Sequence, residues 1–72
     1  MRLKVKEMRE ARRLTQTELS RRSGVPQAQI SMIESGIVPN PQINTLYNLA
    51  DAMHCLVDDL IDRSNPSHDR TA

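Results

Sequence analysis

The chain has 72 residues, one domain at most and close to the lower limit for folding without staples. A single cysteine, Cys55, excludes an intramolecular disulfide and with it a disulfide-stapled secreted scaffold. Net charge is +1, but residues 1–36 hold eight Lys/Arg against four Asp/Glu, and residues 37–72 hold two against five. A basic first half beside an acidic second half fits a polyanion met by one end, or equally a solvated helix face. Apolar residues make up 38% and charged residues 26%, a globular balance. With no Trp or Phe, the core falls to seven Leu, five Ile, four Val and four Met. Size argues against an enzyme, since an enclosed substrate pocket needs about 300 Å3 or more. No apolar run nears the roughly 20 residues of a membrane span. Residues 1–8 alternate charged and apolar side chains, so no signal peptide is expected and a reducing cytosol is the expected setting.

In chain order, Val5, Met8 and Arg12 fall at helical spacing, predicting an amphipathic helix over residues 3–13. Thr15-Gln16-Thr17-Glu18 reads as a capping box that opens a second helix from Gln16 to about Ser23, burying Leu19. Gly24 stops that helix by taking the left-handed conformation. Pro26 suits the first position of a third helix, over 26–34, with Ile30 and Ile33 inward. Its other face holds Gln27, Ala28, Ser31, Met32 and Ser35, almost without charge. After a loop broken by Pro39 and Pro41, Asn40-Pro41 is expected to cap a fourth helix, about 42–53, that buries Ile43, Leu46, Leu49, Ala50 and Met53. A last short helix is expected over 57–62. Residues 63–72 have no apolar anchor and read as a flexible tail after a domain of residues 1–62. No strand-period alternation is visible, so five helices in one all-α domain are expected.

Two short helices separated by Gly24-Val25 describe a helix-turn-helix. The segments Leu14-Thr15-Gln16-Thr17-Glu18-Leu19-Ser20, Gly24-Val25, Ile30-Ser31-Met32-Ile33-Glu34-Ser35-Gly36, Asn40-Pro41 and Leu46-Tyr47-Asn48-Leu49-Ala50 closely resemble the Cro/phage-repressor helix-turn-helix family. The likeness covers about residues 4–61, and its motif is specific as a set. It implies a compact five-helix, lambda-repressor-like domain whose third helix enters the DNA major groove. By the same resemblance Gln16 touches backbone phosphate, Gln27 reads bases, and the two glutamines support one another. A glutamine amide can donate to adenine N7 and accept from N6 together. Ala28 suits a thymine methyl and Ser31 several base edges. Met32 fits thymine methyls, or packs against the domain flank. Gln29, at the edge of the face, and Asn40, in the following loop, suit phosphate. Arg9 and Glu34 match a family pair that is architecture, not DNA contact.

The chain departs from the family pattern in two places. The loop after the recognition helix is often basic in relatives, whereas here it reads Ile37-Val38-Pro39-Asn40. Arg2, Lys4, Lys6, Arg12, Arg13, Arg21 and Arg22 then supply most of the cationic charge, each open to a merely solvated role. His54 replaces a common glycine at the turn before the last helix, which puts the tightness of that turn in question. Cys55 stands at a core aliphatic position and reads as a buried inert thiol. His54, Cys55 and the nearby Asp51, Asp58 and Asp59 do not make the converging set a metal needs, and no pocket serves a nucleophile. No metal or cofactor is expected.

The reading that follows is a sequence-specific regulator of transcription that binds double-stranded DNA. One such module contacts few base pairs, so a homodimer on a palindromic operator is expected. Tyr47, Leu56, Val57 and Ile61 are interface candidates, or else complete a small core. The other reading is a protein-interaction module, an antitoxin-like chain that binds its operator only with a partner such as a toxin.

Overall fold

A computed structural model describes residues 2–62; the expected tail, residues 63–72, lies outside them. Four α-helices follow one another: α1 (Val5–Ala11), α2 (Gln16–Ser23), α3 (Gln27–Ser35) and α4 (Ile43–Ala52). A single 3-10 turn, Val57–Leu60, comes next. Two-residue strands bracket the helices, β1 (Arg2–Leu3) and β2 (Ile61–Asp62), paired antiparallel with Arg2 opposite Asp62 and Leu3 opposite Ile61.

Among the described residues the expected count of five α-helices is therefore corrected to four, and the expected all-α domain is mostly helical with one strand pair. The first helix begins later than predicted because Arg2 and Leu3 are extended against β2. The Lys4 amide continues that pairing by donating to the Leu60 carbonyl at 2.7 Å. It also ends sooner: Arg13 turns left-handed at φ 56°, which swings Leu14 into the core at 8% exposure. The predicted last helix tightens into the 3-10 turn, where the Leu56 amide donates to the Asp59 carboxylate at 3.0 Å. Four residues are too few for an α-helix to form cooperatively, and the chain leaves the turn extended.

Helix ends follow local chemistry. The Thr15–Glu18 capping box is formed in both directions, at 3.0 and 2.8 Å. Gly24 closes α2 at φ 77°, its amide donating to the Ser20 carbonyl. Three residues later α3 has begun. Pro26 is the N-cap of α3, not its first helical residue. The predicted Asn40-Pro41 cap is displaced as well: Gln42 caps α4 in an extended conformation. The turn after α4 is made with His54 itself left-handed at φ 56°, a conformation that costs a non-glycine residue about 1 kcal/mol or more.

The core gathers Val5, Leu14, Leu19, Val25, Ile30, Ile33, Leu46, Leu49, Ala50, Met53 and Leu60. Each large aliphatic side chain fully buried there stabilises the fold by roughly 1.5–3 kcal/mol. α2 is central, packing on both α3 and α4, while the 3-10 turn closes over α4. Ile43, expected inside, is 55% exposed. A helical side chain leans toward the helix N-terminus, so at the first position of α4 it covers ground before the stretch that meets α2.

Candidate nucleic-acid interface

α3 sorts its side chains cleanly between inside and outside. Ile30 and Ile33 are buried, whereas Gln27, Ala28, Ser31, Met32 and Ser35 are exposed. This outward stripe at helical spacing has no charged group. Ser35 spends its hydroxyl on the Met32 carbonyl at 3.2 Å, and the Val38 amide returns to the same carbonyl, folding the following loop against the helix end. Gln29 is half-buried at the edge of the stripe, and Asn40 is exposed in the loop between α3 and α4.

A hydrogen-bond chain holds the first residue of this stripe. The Gln27 Nε2 donates to Gln16 Oε1 at 3.3 Å, and the Gln16 Nε2 donates to Glu34 Oε1 at 3.0 Å. Glu34 in turn takes both Arg9 Nε at 2.8 Å and Arg9 Nη2 at 3.1 Å, a two-point charge-assisted pair. Arg9 also donates to the Leu14 carbonyl at 2.7 Å, tying the α1–α2 turn to the end of α3. The Glu34 hydrogen bonds raise the Arg9 pKa against the opposing effect of burial. Gln16 and Gln27, expected to support one another, are thus in contact, and Glu34 is the hub beneath them. The sequence pairs Glu34 with Arg9 alone and does not show its bond to Gln16. The available signal was its place at the far end of α3, a polar residue beside two inward isoleucines.

The remaining candidates scatter over the α4 side. Tyr47 and Leu56 are 60% and 70% exposed. Val57 packs on the core, and Ile61 is half-buried opposite Leu3 in the strand pair. Ile43 stands one helical turn before Tyr47 and adds apolar surface that the sequence reading placed inside. Cys55 is half-buried, and burial pushes its thiol pKa up, in keeping with an unreactive position. Among the described residues no group of His, Cys, Asp and Glu gathers as metal ligands, and no helix is long and apolar enough to cross a membrane.

A family model described as Helix-turn-helix, the Cro/C1 type, matches residues 5–60. The chain belongs to the Cro/C1-type helix-turn-helix family. Its match runs from the start of α1 to the end of the 3-10 turn, so it takes in the whole core and the Gln16–Gln27–Glu34 chain. No solved structure matches it. Membership makes this a DNA-binding regulator, and within the Cro/C1-type frame α2 and α3 are the helix-turn-helix pair.

Proposed function

We propose that the protein is a sequence-specific transcriptional regulator that binds double-stranded DNA as a homodimer on a palindromic operator, with α3 in the major groove. Gln27, Ala28, Ser31 and Met32 face base edges in this reading, and Gln16, Gln29 and Asn40 face phosphate. The observation that carries it is the anchored glutamine pair. Gln16 holds one Gln27 N–H at 3.3 Å, leaving the other N–H and the carbonyl oxygen for the two-point pattern of an adenine edge. Orienting that amide before DNA arrives removes part of the ordering cost of binding. Ala28 and Met32 beside it favour thymine methyls, so the half-site leans toward A·T.

A single α3 spans few base pairs, and two copies related by a two-fold axis supply the missing selectivity on half-sites about 34 Å apart. Tyr47 and Leu56 offer the apolar area for the contact between copies, with Val57 and Ile61 at its margin. A cytoplasmic setting agrees with a DNA partner and a free thiol.

The test is binding of the purified protein to DNA from upstream of its own gene, against a scrambled duplex, over a salt series. Selective binding that survives near-physiological salt is expected. Weak, equal binding that vanishes with salt would leave only electrostatics. Specificity would then reside in a partner protein such as a toxin, a reading that the 70% exposed Ile37, next to α3, favours.

A further inference from the structure

Away from α3, two turns come together and make a small basic hollow. The Arg12 Nε donates to the Met53 carbonyl, binding the end of α1 to the end of α4, and its Nη1 donates to the Met8 carbonyl at 3.3 Å. Beside this bond lies a cavity of about 240 Å3 lined by Arg12, Leu14, Arg22, Ala52, Met53 and His54. Among the described residues the lining holds two arginines and one histidine and no acidic side chain.

Among the described residues no carboxylate pairs with this wall. Arg12 is held by carbonyl oxygens, which fix its guanidinium without cancelling its charge, and its Nη2 makes no hydrogen bond among the described residues. Neither Arg12 nor Arg22 forms an ion pair among them. Glu18, one turn before Arg22 on α2, feels that charge but spends its carboxylate on Thr15. Both turns, moreover, keep a nitrogen-bearing side chain where glycine fits with less strain: among the described residues, Arg13 and His54 are the two non-glycine residues at positive φ, each at 56°. Strain that persists in a fold clusters at sites of function.

We infer that this hollow is an anion site that takes a phosphate group, separate from the base-reading stripe. The forked guanidinium of Arg22, the remaining donors of Arg12 and an imidazole N–H of His54 match the oxygens of a phosphate, and Leu14, Ala52 and Met53 leave room for a small apolar substituent. At about 240 Å3 the hollow has room for a phosphate group. Position 22 lies about 120° round α2 from position 16, so the hollow opens on a different flank from Gln16. A ligand here grips α1, α2 and α4 together, and of these α1 and α2 pack against α3.

The test is a titration of the isotope-labelled full chain with inorganic phosphate, followed by amide NMR shifts, at ionic strength held constant with sodium chloride. The amides of residues 12–14, 22 and 52–54 are expected to shift together and saturate. Arg22→Gln weakens the binding about tenfold, the loss of one charge-assisted contact. His54→Gly also weakens it while raising the melting temperature, which separates loss of the site from loss of the fold. Drift without saturation, shifts confined to residues 27–32, or equal affinity in both variants would overturn the inference. Repeating the titration with an operator duplex present identifies the source of the phosphate. Amides still answering to phosphate assign the site to a free ligand, and amides already shifted by the duplex and silent to phosphate assign it to the DNA backbone. No DNA enters the first arm, so its outcome is independent of the proposed operator reading.

Discussion

The amide of Gln27 has two N–H bonds and one carbonyl oxygen, and Gln16 occupies one of those N–H bonds. Replacing Gln27 by alanine is expected to cost about 1–3 kcal/mol at the cognate site and to relax one base preference, as measured by titrating duplexes varied one pair at a time. Unchanged affinity would show that the readout register of α3 is misplaced. One layer down, Glu34 Oε1 accepts from both Arg9 and Gln16. Glutamine in place of Glu34 keeps one acceptor oxygen but turns N–H bonds toward at least one Arg9 N–H that needs an acceptor, and it strands the Arg9 charge beside a side chain 5% exposed. Thermal or urea unfolding of Glu34→Gln should show a loss of about 3 kcal/mol, toward the lower end for a broken buried pair. The variant should also bind operator more weakly than its remaining folded fraction explains. At this scale the glutamine pair is legible in the sequence, because the segments around Gln16 and Gln27 resemble a known pattern. The bond from Gln16 to Glu34 is not, since it joins residues 18 apart across two helices and leaves no periodic trace.

Among the elements, α2 has the clearest local signal and the most complete cap. The Thr15 amide and then the Thr15 hydroxyl hold the Glu18 carboxylate below the ordinary glutamate range. The folded chain therefore binds the Glu18 proton more weakly than the unfolded chain does. Its contribution to stability is full above the unfolded glutamate range and drains away as pH falls through the lower folded value. Glu18→Gln keeps an acceptor for the Thr15 amide but does not titrate. Melting temperatures taken down a pH series should show the wild-type advantage over Glu18→Gln shrinking once the pH passes below the ordinary glutamate range. A constant gap would mean that the carboxylate charge adds nothing to the cap. Helix interiors are legible here because buried Leu19, Ile30, Ile33, Leu46 and Leu49 recur at helical spacing. The ends are harder. Pro26 and Gln42 act as caps one or two residues away from the predicted positions, and neither offers a side-chain hydrogen bond that marks the boundary. The strand pair escapes altogether, because two residues per strand are too short to alternate and their partners are some 60 residues away.

For the molecule as a whole, the exposed apolar side chains are unevenly placed. Ile43, Tyr47 and Leu56 belong to α4 and the segment just after it, while the outward stripe of α3 is polar apart from Ala28 and Met32. Tyr47→Asp and Leu56→Asp are expected to shift sedimentation equilibrium toward monomer and to weaken operator binding most at low protein concentration, with little change in melting temperature of the monomer. Dimers of undiminished affinity in both variants would move the contact elsewhere. The strand pair has a different consequence, mechanical in kind. Arg2 and Asp62 stand opposite one another, joined by an ion pair at 2.9 Å, so tension applied to the domain through these two residues meets the rungs of the ladder one at a time. The Arg2–Asp62 pair parts first, then Leu3 from Ile61, then the Lys4–Leu60 bond, and only after that does load reach Val5 and Leu60 in the core. A ladder loaded in that order yields at low force, so the domain has a soft clasp in front of a stiff centre. Arg2 and Leu3 share a hollow with Glu34, so a clasp pulled open removes one wall beside the carboxylate that holds Gln16.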